Sequence, residues 1–205
     1  PRRSLFGRGR LAVTVDASAS PPPESRLRFS VVLVNYNGLG WTVKALESVR
    51  AQAHPSVEAI VVDSGSKDGS VAEIEAWVRD HPDLPTRLLP FPDNIGFAVG
   101  CNRAFEVSQG ELIYLLNNDA EMQAGVLDRI DALAREHKEA GSFMCSMRFT
   151  DEPNTLNSTG IVAFWDGSAM DRKWKRPLSE NPGLSEVLGP CGGAAVWRRE
   201  VLLKV

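Results

Sequence analysis

This 205-residue chain has little of what cysteine or histidine chemistry needs. Its three cysteines, Cys101, Cys145 and Cys191, are widely spaced and outside any C-x-x-C pair. Such a set builds neither a disulfide framework nor a zinc site, and reduced thiols point to a cytoplasmic setting. The three histidines, His54, His81 and His137, each fall at the end of a helical pattern, where a cation complements the helix dipole. Long apolar runs are also missing. The longest, such as Val31-Val32-Leu33-Val34 and Leu112-Ile113-Tyr114-Leu115-Leu116, are far shorter than the ~20 residues needed to cross a bilayer. There is no basic excess: 23 Lys and Arg against 26 Asp and Glu give −3, which argues against a general electrostatic grip on nucleic acid. No P-loop G-x-x-x-x-G-K-[ST], nucleophile elbow G-x-S-x-G or zinc-protease H-E-x-x-H occurs. What remains, with 43% hydrophobic and 24% charged residues, is the composition of one globular domain.

Residues 1–28 differ from the rest. Six arginines against Asp16 and Glu24 give +4 and leave −7 for residues 29–205, and Ser18-Ala19-Ser20-Pro21-Pro22-Pro23 favours an extended chain. The segment reads as a basic N-terminal extension, linker or edge strand outside the core, with a phospholipid-binding arm as the lesser reading.

From Phe29 a rhythm sets in. Phe29 to Val34 is a β-branched run of the kind buried on both faces of a sheet, ending in Asn35-Tyr36-Asn37-Gly38. A helix follows with Trp41, Ala45, Leu46, Val49 and Ala53 on its apolar face, then a strand at Glu58 to Val62. Ser70 and Glu73 have capping-box spacing at the start of a second helix. Arg87 to Pro90, Phe97 to Ser108, Leu112 to Leu116 and Val126 to Ala134 continue as strand, helix, strand and helix. This alternation predicts an α/β fold with a doubly wound, mostly parallel sheet flanked by helices on both faces. After Gly141 come strand-like pieces at Ser142 to Met147, Ile161 to Phe164 and Ala194 to Trp197.

Ligands of such sheets bind beyond the carboxyl ends of the strands, where strand order reverses. Those ends carry Asn35, Tyr36 and Asn37, then Asp63, then Asn117, Asn118 and Asp119. A dinucleotide-binding oxidoreductase is one rival, because Gly38-Leu39-Gly40 opens a helix and Asp63 lies 23 residues past Gly40. Its fingerprint fails where Val43 replaces the third glycine and where Trp41 would crowd a pyrophosphate. A sugar-nucleotide nucleotidyltransferase would need Arg and Lys in the glycine loop after the first strand, and neither is there.

Four blocks in order, Phe29 to Asn37, Ile60 to Ser70, Asn94 to Asn102 and Leu115 to Asp119, resemble inverting family 2 glycosyltransferases of the GT-A fold. Within that family they look most like rhamnosyltransferase-type enzymes of cell-envelope polysaccharide synthesis. The resemblance implies a nucleotide-diphosphate sugar donor, UDP- or dTDP-linked, and a saccharide or lipid-linked saccharide acceptor. It also implies a divalent cation, Mg²⁺ or Mn²⁺, with Asp119 as its carboxylate ligand. By the same resemblance Asp63 would accept from the base, Tyr36 would pack on it, and Val34, Asn35 and Asn118 would add contacts. Asn94, Gly96 and Asn102 would close over the nucleotide beside Asn117, while Gly192, Gly193 and Ala194 would lie under the sugar, followed by the basic pair Arg198 and Arg199. The family's general base is expected beyond Val205, so the chain reads as truncated and its own activity as low. Asp166 and Asp171 are carboxylates on a plausible acceptor loop. A cytoplasmic enzyme at the inner face of the membrane, peripherally associated, fits this reading; the alternative is a nucleotide-sugar binding module without transfer activity.

Overall fold

The computed structural model describes residues 12–15 and 26–204. In chain order the first elements are β1 (Ala12–Val15), β2 (Phe29–Asn35), α1 (Trp41–Arg50), β3 (Val57–Ser64), α2 (Ser70–Asp80) and β4 (Thr86–Phe91). Next come α3 (Phe97–Val107), β5 (Leu112–Leu116), α4 (Val126–Glu136) and β6 (Ser142–Cys145). Short strands follow: β7 (Met147–Arg148), β8 (Leu156–Ser158), β9 (Ile161–Ala163), β10 (Ala169–Asp171) and β11 (Glu186–Val187). β12 (Ala194–Arg198) and α5 (Arg199–Leu202) end the described chain.

Eight strands form one sheet in the order β11-β1-β6-β12-β5-β2-β3-β4. β2 pairs in parallel with both β3 and β5, so the chain winds outward to β4 and then crosses back, leaving a switch point between β2 and β5. β12 is inserted antiparallel between β5 and β6. The α/β sheet expected from the sequence is present, mostly parallel and flanked by helices.

The strand sequences explain the two layers. With side chains alternating across the sheet, Val31, Leu33, Ala59, Val61, Leu112 and Tyr114 face the core beneath α1, α2 and α4. Their neighbours Val32, Ile60, Val62 and Ile113 face the opposite layer with Ala104 of α3. Because both faces are covered, β2 and β3 read as unbroken apolar runs rather than as alternating ones.

Several details depart from the sequence reading. Ala12–Val15 sit inside the sheet, parallel to β6 and antiparallel to β11, so part of the segment set outside the core supplies a strand. Arg26 and Leu27 are tied down too, by an ion pair of 2.6 Å to Asp128 and a 2.9 Å bond from the Leu27 amide to the buried Asp131 carboxylate. Ser70 does not form a capping box with Glu73. The Asp68 carboxylate caps α2 instead, accepting from the Ser70 amide at 3.0 Å, while Glu73 accepts from the Gly40 amide at 2.8 Å. That exchange ties the start of α2 to the start of α1. The basic pair is likewise structural. Arg198 donates to Ala140 and His137 carbonyls at 2.8 and 3.0 Å and to the Ala134 carbonyl, crowning the C-terminal end of α4. Arg199 does the same for the end of α3, at 2.7 Å from the Ser108 carbonyl.

His54 is 5% exposed, edge-on to Phe29 at 5.1 Å, with its Nε2 buried and without a partner. Burial pushes its pKa below the ordinary histidine value, a shift that nearby Asp128 opposes. A histidine whose folded pKa is depressed supplies stability above its unfolded pKa of about 6.5 and loses it as pH falls toward the folded value. Urea denaturation at about pH 7.5 and about pH 5.5 should show lower stability in acid, and His54→Gln should shrink the difference.

Deleting residues 1–15 should lower stability by about 2 kcal/mol or more, because it strips paired backbone from both β6 and β11. An unchanged urea midpoint would contradict the placement of β1.

Candidate active site

The site is built on the side chain of Asn35, the last residue of β2, which is fully buried. A buried primary amide must have its donors and acceptor satisfied, and here each group is used. Its Nδ2 donates to Asp63 at 2.7 Å and lies 2.9 Å from Ser70 Oγ and 3.1 Å from Ser66 Oγ. Its Oδ1 accepts from Thr42 Oγ1 at 2.7 Å and from Asn118 Nδ2 at 3.2 Å. One residue therefore joins the ends of β2, β3 and β5 to the starts of α1 and α2. Gly38 is required beside it, since a Cβ there would collide with the Asn35 and Asn118 side chains.

Asp63 is 1% exposed, and its carboxylate is engaged by the protein itself. Oδ1 accepts from Asn35 and, at 2.5 Å, from Ser66 Oγ, while Oδ2 accepts from the Ser66 amide at 3.0 Å. Beyond it, the Ser66 hydroxyl accepts from the Asn37 amide at 2.9 Å and the Asn37 side chain accepts from the Lys67 amide at 2.9 Å. The loops after β2 and β3 thus interlock. Asp68 accepts from the Leu39 amide at 2.8 Å, and its bond from the Ser70 hydroxyl holds its carboxyl below the ordinary carboxylate range.

Above this framework lies an open cleft of about 620 Å³ lined by Tyr36, Asn37, Gly38, Trp41, Asn118 and Asp119, and closed on another side by Phe149 to Glu152. Tyr36 and Trp41 present aromatic faces at 51% and 54% exposure, and Asp119 is exposed at the end of β5. The antiparallel register of β12 with β5 brings Ala194 opposite Leu116, and the Asn117 amide donates to the Gly193 carbonyl at 3.1 Å. Gly192, Gly193 and Ala194 therefore adjoin the Asn117-Asn118-Asp119 turn.

The remaining sequence candidates lie apart from this cleft. Val34 points beneath α3, where its methyl groups pack against Gly100. Asn94 holds the loop after β4, accepting from Ser64 Oγ at 3.0 Å and from the Gly96 amide at 2.8 Å. Asn102, more than a turn into α3, lines a different groove with Phe105, Ile113, Leu115 and Trp197, because the helix turns it toward the far layer. Asp166 is held by the Ser168 amide and hydroxyl at 2.9 and 2.7 Å, and these bonds lower its pKa. Asp171 pairs opposite Ile161 in β10, with its Oδ1 buried and without a partner. The cysteines offer no ready thiolate, since burial pushes Cys101 and Cys145 up to about 11.

Sequence reasoning missed Trp41, Phe149, Asp151 and Glu152. Trp41 was placed on the apolar face of α1, but as the first residue of that helix it projects outward, with Lys44 Nζ 5.0 Å above its ring. The signal was available in Gly40, which adopts φ 76° and ends the loop immediately before it.

A family model for glycosyl transferase family 2 matches residues 30–205. The chain belongs to glycosyl transferase family 2. An uncharacterized glycosyltransferase of Nostoc sp. is 28% identical over 193 residues, covering 87% of this chain and 53% of the relative. A putative teichuronic acid biosynthesis glycosyltransferase of Bacillus subtilis, TuaG, is 29% identical over 114 residues, covering 56% of this chain and 44% of its own. The chain thus spans about half the length of these relatives.

Among solved structures, a mannosyltransferase from Pyrobaculum calidifontis in complex with GDP-Man and Mn²⁺ superposes with a TM-score of 0.64 at 23% identity, over 92% of this chain and 49% of that one. TarS of S. aureus in complex with UDP-GlcNAc superposes with a TM-score of 0.62 at 19% identity, over 87% and 47%. These likenesses establish the shared GT-A fold. Family membership also removes the oxidoreductase reading of Gly38-Leu39-Gly40.

Asn35→Leu should strip partners from Asp63, Ser66, Ser70 and Thr42 while filling the same space, at a cost of about 2–4 kcal/mol. Thermal denaturation checks the loss, and calorimetric titration with UDP should show weakened binding in the variant that remains folded.

Proposed function

We propose that this domain transfers a sugar from a UDP- or dTDP-linked donor to a saccharide or lipid-linked saccharide acceptor, with inversion, during cell-envelope polysaccharide synthesis. The rhamnosyltransferase-type resemblance and the similarity to TuaG favour that setting, at the cytoplasmic face of a membrane. The observation that carries the reading is the cleft, where Asp119, Asn118 and two aromatic faces meet, next to the Asn117 amide that bonds the Gly193 carbonyl just before β12.

In this reading Tyr36 packs on the base, and its exposed ring is free to do so. Asp63 first fixes the loop through Ser66; in this reading its Oδ2, which takes the Ser66 amide, also accepts the imide N–H of uracil or thymine when the loop admits the base. Asn118 reaches a ribose hydroxyl, and backbone at Gly192 to Ala194 allows close approach of the sugar. Nucleotide-contacting roles proposed for Val34, Asn94, Gly96 and Asn102 reduce to support of the surrounding loops and α3.

The donor set at Asp119 suits a hard cation. Among the described residues, no trio of carboxylate, histidine or cysteine groups is placed to hold a metal by itself. An exposed carboxylate together with substrate phosphates is a common way of binding Mg²⁺ or Mn²⁺, so the residues present fit the group. When bound, the cation would neutralise charge on the departing nucleotide diphosphate. Asp151 and Glu152 also line the cleft, and in this reading their charge would keep the anionic group at the cation held by Asp119. The general base is assigned to none of the described residues.

Asp119→Ala should abolish most of the enhancement of UDP or dTDP binding by Mn²⁺, whereas Asp63→Ala should weaken binding both with Mn²⁺ and with a chelator. Calorimetric titration of the two variants, with melting temperature as a control for folding, decides it; cation-enhanced binding that survives Asp119→Ala would overturn the assignment.

A further inference from the structure

β9 and β10 form a hairpin separate from the main sheet. Its turn displays Trp165, which is 99% exposed, beside Phe164 at 50%, and Met170 and Trp174 follow at 47% each. Large apolar side chains left in water along one hairpin mark a surface that another phase or molecule covers. The turn is not loose. The Phe164 amide donates to the Ser168 carbonyl at 2.9 Å and the Gly167 amide to the Phe164 carbonyl at 3.0 Å, while Asp166 takes the Ser168 amide and hydroxyl. Trp165 is thus held out at the apex of a braced turn.

The base of the hairpin is basic. Arg172 is braced inward by Thr159 and Ser185, and Lys173 pairs with Glu180 at 3.0 Å. Lys173 and Lys175 adopt left-handed φ of 61° and 56°, fixed by bonds from the Lys175 amide to the Leu156 carbonyl and from the Arg176 amide to the Lys173 carbonyl. This geometry leaves Trp174 exposed, with Lys175 Nζ 4.6 Å above its ring, and Arg176 exposed beside them.

We propose that this hairpin docks the domain on an anionic lipid surface, with Trp165 and Phe164 entering the interface and Lys175 and Arg176 meeting the headgroups. Indole and phenyl rings favour the boundary between headgroups and acyl chains, and each cation near an anionic surface adds about 1 kcal/mol. Between apex and base, β9 and β10 are three residues each, about 10 Å at the usual strand rise, which matches the depth to which interfacial elements sink. The carboxylate at the apex, Asp166, opposes entry, but it is satisfied within the turn by Ser168. A sugar-stacking role fits less well, because saccharides bind in concave sites with polar partners, and a fully exposed apex supplies neither.

The inference is independent of donor chemistry, so its test reads lipid rather than nucleotide. The 205-residue chain should co-sediment with vesicles of phosphatidylcholine mixed with phosphatidylglycerol, and much less with phosphatidylcholine alone. Phe164→Ser with Trp165→Ser, and separately Lys175→Glu with Arg176→Glu, should each weaken the anionic binding by about tenfold or more, with UDP affinity and melting temperature unchanged. Equal binding to both vesicle types, or binding that neither pair of substitutions alters, would overturn the proposal; the latter would move the attraction to the arginines of residues 2–28. Loss of UDP binding with retained vesicle binding would sink the transferase reading and leave this one standing. Binding to soluble dextran that depends on Trp165, without lipid binding, would assign the hairpin to saccharide and overturn it as well.

Discussion

The satisfaction of one buried amide organises this site. Asn35 ends the central strand, and nothing but its neighbours can bond its side chain once it is out of water. An unpaired group of that kind costs about 1–3 kcal/mol, so Asp63, Ser66, Ser70, Thr42 and Asn118 are drawn to one point. That convergence aligns the carboxyl ends of β2, β3 and β5 at the switch in strand order. The cleft and its exposed groups are the solvent side of the same arrangement.

The division of labour among the acidic residues follows from burial. Asp63 is enclosed and spends its oxygens on the loop. Asp119 is exposed at the cleft, and the proposed reading gives its oxygens to a cation. Two carboxylates at equivalent strand ends thus sit in different surroundings, one buried and bonded within the loop and one exposed at the cleft.

The layered sheet was legible because buried parallel strands leave continuous apolar runs and because Asn, Asp and Gly punctuate their ends. Asn35, Tyr36, Asp63, Asn118 and Asp119 stand at those ends: Asn35 bonds Asp63 and Asn118, while Tyr36, Asn118 and Asp119 line the cleft. β1 was legible only as one alternative, an edge strand: four residues in an arginine- and proline-rich setting carry too little periodicity to place it between β6 and β11. Arg198 and Arg199 were read only as the basic pair that follows the glycine-alanine segment, and their partners are carbonyls at the ends of α4 and α3, far away in sequence. Asn102 lies on a different groove, where helical rotation carries it. The Phe149 to Glu152 wall has no strong local pattern and enters the cleft only through tertiary folding.

The central claim is that a nucleotide diphosphate binds where the amide of Asn35 gathers the strand ends. Hydrogen–deuterium exchange with and without UDP and Mn²⁺ tests it most directly. The account predicts slowed exchange in residues 35–42, 63–70 and 117–120, with no change along the α3 groove around Asn102. Protection confined to that groove, or absent from the strand ends, would contradict it.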